Sequence, residues 1–372
     1  MSLARDIADL GAVTSRLDTV GAASGSFGIG RNVIYNGAMN VAQRGTSSTG
    51  IGASAGYFTC DRWYINSANT AGRLTMSQAS DGPSGFANCI KLDCTTADTS
   101  IASNESLRLI QKFEGQDLQR FAKGTSAAKE FAVSFYVKAN AAFTFGCELF
   151  DNDNSRQISK TFSTTTDWVR HEITFPADTT GAFADDNALS LQLQFWLHAG
   201  SNFTSGTLNS TSWASNTDAN RAVGIGSFFS STSNDFYITG VQLEETSVTD
   251  FEHRSFGDEL QACKRYFEHK TFNTFIGIGY ANIGANAHVI FPYLEKRAAP
   301  TVTLPTAGQG SNEISFLKSN GSYPSTTGSN TVFNATKNQA RIQGGSYSGL
   351  TVEGPSALFV NGEASVTIDA EL

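Results

Sequence analysis

The 372-residue sequence is poor in charged residues and in proline. Asp, Glu, Lys and Arg make up 16% of the chain, and only 7 residues are Pro; an average globular protein has roughly 25% charged residues. Long helices carry charged residues on their solvent face, so few such helices are expected. The abundant residues are Gly (35), Phe (27) and Ser or Thr (79 together). Because these suit short strands and polar turns, the composition predicts an all-β fold.

Basic segments, long apolar runs and a secretory leader are also missing. Lys plus Arg number 26 against 34 for Asp plus Glu, which gives a net charge of −8. A negatively charged surface does not attract phosphate backbones, so no nucleic-acid partner is expected. No stretch approaches about 18 consecutive apolar residues, so no membrane insertion is expected. Residues 1–20 lack the basic start and apolar core of a signal peptide.

The cysteines are few, odd in number and scattered, without a Cys-x-x-Cys motif. They are Cys60, Cys89, Cys94, Cys147 and Cys263. Such a set favours neither a disulfide framework nor a zinc site. Free cysteine packs as a small apolar side chain, so we expect reduced, half-buried thiols in a chain made in the cytoplasm.

The first thirty residues differ from the rest of the chain. Apolar or small side chains recur at alternating steps of four and three residues, as in a short heptad seam: Leu3, Ile7, Leu10, Thr14 and Leu17. Residues 21–30 (GAASGSFGIG) have the composition of a flexible connector. Two interpretations stay open, a helix docked on its own domain and a helix that bundles with its copies in an oligomer and attaches to a larger assembly.

Four segments further along alternate apolar and polar residues with the two-residue period of a half-buried strand. They are Phe131–Val137, Val169–Phe175, Leu189–Leu197 and Phe236–Leu243. Polar loops separate them, and the longest runs from Ser201 to Asn220. Strands with one apolar face need a second sheet to bury that face. Residues 31–255 are therefore predicted to form a jelly-roll β-sandwich.

The pattern changes between residues 256 and 271. Leu260, Cys263 and Phe267 fall three or four residues apart in a segment rich in charge, which predicts a linking helix over 256–271. Strand-like runs return after it, for example Val289–Phe291 and Ala364–Ile368. Residues 272–372 are therefore predicted to form a second, smaller β domain.

Eight segments form an ordered set of landmarks. They are Asn32–Gly45 (NVIYNGAMNVAQRG), Cys60–Trp63 (CDRW), Val133–Lys138 (VSFYVK), Ile238–Glu244 (ITGVQLE), Phe251–Phe256 (FEHRSF), Glu259–Phe267 (ELQACKRYF), Lys296–Val302 (KRAAPTV) and Asp369–Leu372 (DAEL). In order and spacing this set resembles tail-fibre and related structural proteins of tailed bacteriophages, which contain a jelly roll similar to carbohydrate-binding modules. The resemblance runs from about residue 31 to residue 372.

The resemblance implies a structural protein of the phage virion, located in the tail and assembled in the host cytoplasm. It implies attachment to host-surface carbohydrate through weak sites that gain avidity in a symmetric oligomer, with other virion tail proteins as partners. Together with the N-terminal seam it suggests a homotrimer. The family's motifs mark architecture, so no catalytic residue is carried over and no cofactor is implied.

The triplet Asp61-Arg62-Trp63 has a structural interpretation of its own. An arginine next to a carboxylate and an indole can form an ion pair beneath the aromatic ring. We therefore expect this triplet to fix the end of a strand.

Residues for catalysis or metal binding are not grouped in the sequence. The five histidines are far apart, and neighbouring carboxylates such as Asp185 and Asp186 would point to opposite faces of a strand. That arrangement does not suit the acid and nucleophile of a glycosidase, so neither an enzyme nor a metal site is expected. For Asp151 and Asp153 two interpretations stay open, a bare acidic turn and a Ca²⁺ site, although the Gly and Glu of an EF-hand are missing.

Three tryptophans are candidates for carbohydrate binding, because sugars stack their apolar C–H face on exposed aromatic rings. Trp213 lies in a Ser/Thr/Asn-rich loop, where a core role is hardest to assign. Trp196 is out of phase with Phe195, and Trp168 with Val169, so both should project from the outer side of their strands. The alternative for each of the three is packing inside the sandwich.

Two functional alternatives to adhesion stay open. A non-adhesive structural, decoration or adaptor protein of the virion would bury Trp196 and Trp213 in an interface. A polysaccharide-degrading enzyme would need two carboxylates about 5–10 Å apart in an open groove.

Overall fold

The computed structural model describes residues 30–273, 275–283, 286–308, 313–317, 322, 328–347, 350, 355–360 and 363–372. These residues form two β units with a short helix between them, and the predicted all-β sandwich fold class is confirmed. The N-terminal seam and the connector before Gly30 lie outside the described residues. No helix of the described chain has the length and apolar character needed to cross a membrane.

The first unit contains the strands that form the sandwich. In chain order they are β1 (Ser47–Ile51), β2 (Gly56–Tyr57), β3 (Tyr64–Ala68), β4 (Arg73–Ala79), β5 (Cys89–Thr96), β6 (Ser106–Glu114), β7 (Phe131–Ala139), β8 (Thr144–Asp151), β9 (Arg156–Ser163), β10 (Val169–Phe175), β11 (Leu189–Ala199), β12 (Ala214–Ser215) and β13 (Asp235–Glu245). Short 3-10 turns lie at Gly115–Asp117, Gln119–Phe121, Asp218–Asn220 and Phe228–Ser230, and a one-turn helix, α1, spans Ser201–Thr204.

These strands form two sheets that enclose one core. Sheet A has the order β1-β4-β5-β13-β7-β10, and sheet B has the order β12-β9-β8-β11-β6-β3-β2. Phe135 on β7 of sheet A meets Phe195 on β11 of sheet B edge to face, with 5.0 Å between ring centroids. Alternation along each strand sends every second side chain into this core, which leaves two outer faces for other roles.

The second unit contains two further sheets. Its strands are β14 (Phe267–Phe272), β15 (Phe275–Ile283), β16 (Asn286–Pro292), β17 (Thr301–Thr303), β18 (Thr306–Ala307), β19 (Glu313–Leu317), β20 (Ser329–Ala335), β21 (Gln339–Gly345), β22 (Pro355–Val360) and β23 (Ala364–Asp369). Sheet C has the order β14-β23-β17, and sheet D has the order β18-β19-β22-β15-β16-β21-β20. Both sheets contribute to a second core that includes Phe291, Ile342 and Ile368.

The linking helix is shorter than predicted. Helix α2 spans Phe256–Lys264, and the Ser255 hydroxyl caps it by accepting a hydrogen bond of 3.1 Å from the Asp258 amide. Phe267, which the helical spacing placed on the same helix, begins strand β14. This strand pairs along its whole length with β23, so ladder hydrogen bonds replace the helical ones. The prediction of a helix to residue 271 is therefore wrong.

All five cysteines are free and buried, more deeply than the half-buried state that the sequence suggests. Burial raises the pKa of the Cys89 and Cys94 thiols to about 11. Thiols of that kind are poor nucleophiles at neutral pH, in agreement with the apolar packing role predicted for them.

Arg62 connects the two units, in a way the sequence did not indicate. Its fully buried guanidinium pairs with the Glu371 carboxylate and lies 3.4 Å from the ring centroid of Tyr266. Asp61 instead accepts hydrogen bonds from Gln43. The expected ion pair beneath an indole is thus replaced by a pair with a carboxylate more than 300 residues away, stacked on a tyrosine.

Asp61 gives a testable pH dependence. Burial raises the pKa of its carboxyl from the ordinary 3.8 to about 6, although hydrogen bonds from Gln43 lower it. The folded chain therefore holds this proton more tightly than the unfolded chain, and stability should fall as pH rises from about 4 to 6, by about 3 kcal/mol.

Asp61→Asn should remove this part of the pH dependence. The measurement is the free energy of unfolding by urea at pH 3.5, 5 and 7 for both proteins. A difference between wild type and variant that stays constant over this range would contradict the assignment.

Candidate functional site

The outer face of sheet B carries polar and aromatic side chains in the phase opposite to the core residues. On β11, Phe195 belongs to the core, whereas Gln194 and Trp196 occupy the alternate positions. Asn66 on β3 lies opposite Arg108 on β6, which in turn lies opposite Trp196. Side chains from three neighbouring strands are therefore brought together on this face.

Five planar polar side chains form a hydrogen-bonded row on this face, which we call the amide row: Asn66, Arg108, Gln194, Gln192 and Asn152. The Arg108 guanidinium donates to the Oδ1 of Asn66 at 2.6 Å and to the Oε1 of Gln194 at 3.0 Å. Gln194 donates to Gln192 at 3.1 Å, and Gln192 donates to Asn152 at 2.8 Å. Gln194 is buried at 1% exposure and also accepts from Arg221 at 3.5 Å. The other four members of the row are half-buried, so a ligand would reach the row at these four side chains.

Arg108 is the cation at the centre of the row. Its described hydrogen bonds go to neutral amide oxygens, and its Nε is buried without a partner. Burial, followed by the nearby Arg221 charge, lowers the pKa of Arg108 to about 10. The guanidinium stays charged at neutral pH, and the Glu148 and Asp218 carboxylates partly offset the cost of burying it. Because its hydrogen bonds described here go to neutral oxygens, an acceptor supplied by a ligand would be favourable.

Aromatic rings border the row on two sides. Tyr64 is half-buried beside Asn66, and the Lys112 ammonium lies 3.9 Å from its ring centroid. Lys112 also donates to the carbonyl of Leu372, so the second unit closes this side. Phe150, also half-buried, lies 4.6 Å from the Arg221 guanidinium on the opposite side. Polar groups flanked by aromatic rings are the combination that recognises a sugar ring.

Trp196 projects from the outer side of β11, as its phase predicts, but the expectation that it is open to solvent is wrong. Its side chain is 0% exposed. Phe203 from α1 covers it at 5.2 Å between ring centroids, and Arg108 and Arg221 lie over the indole at 4.7 and 5.1 Å. Its Nε1 donates to Glu148 at 2.7 Å. The long polar loop folds over this part of the sheet. Trp196 therefore packs beneath Arg108 and Arg221 instead of facing solvent.

Trp213 is also not an exposed platform. It is 7% exposed and belongs to the sandwich core, with 5.5 Å between its ring centroid and that of Phe131. Its Nε1 donates to the carbonyl of Pro176 at 2.8 Å. The Ser/Thr/Asn-rich loop inserts this one apolar side chain between the sheets, which the composition of the loop conceals.

Trp168 is the predicted tryptophan that retains solvent access. It is half-buried directly before β10 and meets Tyr237 edge to face, with 6.2 Å between centroids. The Lys138 ammonium lies 5.3 Å from the Trp168 ring and 4.6 Å from the Tyr237 ring. These residues lie on sheet A, on the opposite side of the sandwich from the amide row.

Asp151 is engaged in an internal ion pair. Its carboxylate lies 2.6 Å from the Lys123 ammonium, and both side chains are fully buried. Asp153 accepts a hydrogen bond from the Ala184 amide at 3.0 Å. A lysine ammonium occupies the position a cation would take, so the structure favours the acidic-turn interpretation. No cluster of three metal-binding side chains occurs among the described residues.

The amide row was absent from the sequence-based candidates, although part of its signal is visible in the sequence. The same alternation that identifies β11 places Gln192 and Gln194 in the polar phase. Arg108, the partner of Gln194, lies more than 80 residues away in the sequence, so the grouping depends on the β6–β11 register. Glutamine in the polar phase of a strand is usually only solvated, so its presence alone does not predict a binding site.

The first unit is a β-sandwich of two antiparallel sheets, A and B. No protein-family model and no curated protein matches the sequence. Similar solved structures include a family 4 carbohydrate-binding module, with 14% identity and a TM-score of 0.31, covering 57% of this chain and 99% of that one.

Two further similar structures have equally low identity. One is a family 11 carbohydrate-binding module from Clostridium thermocellum, in complex with a β-1,3-1,4-mixed-linked tetrasaccharide (10% identity, TM-score 0.27, 55% of this chain and 98% of that one). The other is the enzymatically active domain of tailspike protein 4 from bacteriophage CBA120 (10% identity, TM-score 0.31, 58% of this chain and 21% of that one). At TM-scores of 0.31 and below, these similarities carry no argument about this chain.

Proposed function

We propose that this chain binds carbohydrate at the amide row, as a tail-fibre-like structural protein of a tailed phage that attaches to host-surface glycans. The observation that carries the binding proposal is the row itself. Arginine and amide side chains in fixed orientation, bordered by Tyr64 and Phe150, match the hydroxyl groups and the apolar face of a sugar ring. The cation at Arg108 adds charge-assisted hydrogen bonds.

The virion role is supported by the landmarks in the sequence. Segments such as Asn32–Gly45 and Ile238–Glu244 resemble phage tail-fibre proteins in order and spacing. A homotrimer with three weak sites would gain avidity through effective concentration, so each site needs little affinity. Other virion tail proteins would be its partners in the assembled tail.

Arg108→Ala is expected to weaken glycan binding at least tenfold, since hydrogen bonds to charged groups contribute about 1.5–3 kcal/mol each. Titration calorimetry would use the full chain with a mixed-linked glucan tetrasaccharide, xylohexaose and β-1,4-galactotriose, which are bound in similar structures, and with bacterial surface polysaccharides. The matched control is Arg170→Ala, an arginine on the outer face of sheet A, which should leave binding unchanged.

Trp168→Ala tests whether the glycan site lies on sheet A instead of at the amide row on sheet B. If it abolishes binding while Arg108→Ala has no effect, the glycan site lies on sheet A and the amide row is not the site. If the wild-type chain, with its oligomeric mass measured on the same sample, binds no glycan of the panel, the adhesin function is wrong.

A non-adhesive structural role is the second candidate, and one observation favours it. The outer side of β15 exposes Phe275, Ile278 and Tyr280, each more than half accessible. Apolar patches of this kind mark interaction surfaces. If the chain assembles through this side and binds no glycan, the structural role replaces adhesion.

A further inference from the structure

A separate cleft lies on sheet D of the second unit, at the hairpin that joins β20 to β21. Its volume is about 290 Å³. The residues that line it come from β16, β20, β21 and the turn: Ile290, Phe333, Asn334, Thr336, Gln339 and Arg341. A volume near 300 Å³ is at the lower end of the range for small-molecule sites, which suits one sugar residue rather than a long chain.

An aromatic ring stacked with a guanidinium forms one side of the cleft. The Arg341 guanidinium lies 3.7 Å from the ring centroid of Phe333, which is nevertheless 61% exposed. Ile290, directly opposite Arg341 in the sheet, is also exposed. Exposed apolar area of this kind can stack against the C–H face of a sugar.

Arg341 has no ion-pair partner among the described residues, and its Nε is buried without a hydrogen-bond partner. Burial and the Arg341 charge lower the pKa of His288, two strand positions from Ile290 on β16, so no second cation forms there at neutral pH. Arg341 is therefore a local positive charge in a chain with a net charge of −8.

We propose that this cleft binds a carboxylate-bearing sugar. The Arg341 guanidinium would pair with the carboxylate in the fork geometry that arginine favours, and the ring would stack on Phe333. The exposed side chains of Asn334, Thr336 and Gln339 would take the hydroxyl groups. This inference goes beyond the proposed function, because it concerns another unit and another class of sugar.

The test is titration calorimetry of the full chain with trigalacturonate as the acidic probe and cellotriose as the neutral one. Wild type should prefer trigalacturonate, with an affinity that falls as salt rises. Arg341→Gln should weaken this binding at least tenfold, and Arg341→Lys should lie between the two, because it keeps the charge and loses the fork. Phe333→Ala should weaken the binding of trigalacturonate to the cleft, and also the residual binding of cellotriose there.

Lys337→Gln is the matched control, because Lys337 is an exposed cation of the same hairpin that does not line the cleft. It should leave the affinity for trigalacturonate unchanged. The substituted side chains are at least partly exposed, so the melting temperature of each variant should match wild type and a folding defect would be visible separately.

Three results would overturn the inference. One is an equal affinity of Arg341→Gln and wild type for trigalacturonate. Another is loss of trigalacturonate binding in Arg108→Ala but not in Arg341→Gln, which would place acidic sugars on the amide row and leave the proposed function standing. The third is a fall in oligomeric mass on Phe333→Ala, which would make the cleft an interface between copies. Failure of the amide row alone would instead spare trigalacturonate binding and leave only the residual neutral binding of the cleft.

Discussion

Glu371→Ala is expected to lower the free energy of unfolding by about 3–5 kcal/mol, the range found when one partner of a buried ion pair is removed. The Arg62 side chain is fully buried and would lose its carboxylate, and Arg44, 3.3 Å from the same carboxylate, would lose a partner too. Arg62→Met should cost less, because Glu371 keeps Arg44. The expected order of the two losses follows from which buried charge is left without a partner.

The variant should also separate the unfolding of the two units. All four tryptophans lie between residues 63 and 213, so their fluorescence follows the sandwich alone, whereas far-ultraviolet circular dichroism follows both units. In wild type the two urea transitions should coincide, and in Glu371→Ala the dichroism change should begin at lower urea.

An exposed ion pair provides the control for this experiment. Asp81 lies 2.6 Å from the Lys138 ammonium, with its side chain 51% exposed. Asp81→Ala should cost no more than about 1 kcal/mol, as usual for surface pairs. If Glu371→Ala is no more destabilising than Asp81→Ala, and its two transitions coincide, the contact at Arg62 does not hold the units together.

The strands of the sandwich could be predicted because their signal is local. The alternation over Leu189–Leu197 identifies β11, and that over Val169–Phe175 gives the bounds of β10 as the structure has them. The helical spacing predicts helix α2 but extends it too far, because Phe267 continues that spacing by coincidence. Phe267 instead pairs with β23, about 100 residues later in the sequence. Such a long-range pairing cannot be seen in the local periodicity.

The candidate site was harder to predict, because it depends on which segments cover which face. The phase of Trp196 correctly placed it on the outer side of β11, but nothing in the strand shows that Phe203 folds over it. For Trp213 the loop composition suggested exposure, whereas the apolar ring is drawn into the core. The amide row required the register between β6 and β11, which a single sequence does not supply.

The ion pair between Glu148 and Arg221 is expected to show strong coupling in a double-mutant cycle. Two hydrogen bonds of 2.8 and 2.9 Å join these buried side chains, and Glu148 also accepts from Trp196. Burial lowers the pKa of Arg221 and the nearby carboxylate raises it, with a net increase. Glu148→Met leaves a buried guanidinium and an unpartnered indole N–H, so we expect a loss of about 3–5 kcal/mol.

The double variant Glu148→Met/Arg221→Met should cost clearly less than the sum of the single variants, by about 1–3 kcal/mol, since both charges of the pair are then removed together. In Glu148→Met the guanidinium keeps only the longer contact to Asp218, at 3.4 Å. Urea unfolding measures the energies. Hydrogen exchange reports the loop, because the Ala222 amide donates to Phe203 at 2.9 Å and the Gly206 amide to Ala219 at 2.9 Å. Protection of these amides should fall in each single variant.

The exposed pair of Arg170 and Glu172, 2.7 Å apart, is the matched cycle and should show coupling below about 1 kcal/mol. Additive losses at Glu148 and Arg221, or full loop protection in Arg221→Met, would mean that the loop covers Trp196 by apolar packing alone. In that case the ion pair would not determine the position of Trp196 beneath Arg108. Packing between Phe203 and Trp196 would determine it instead. Coupling of the expected size would instead mean that the buried Glu148 carboxylate determines the geometry of the proposed glycan site, because it positions both Arg221 and Trp196.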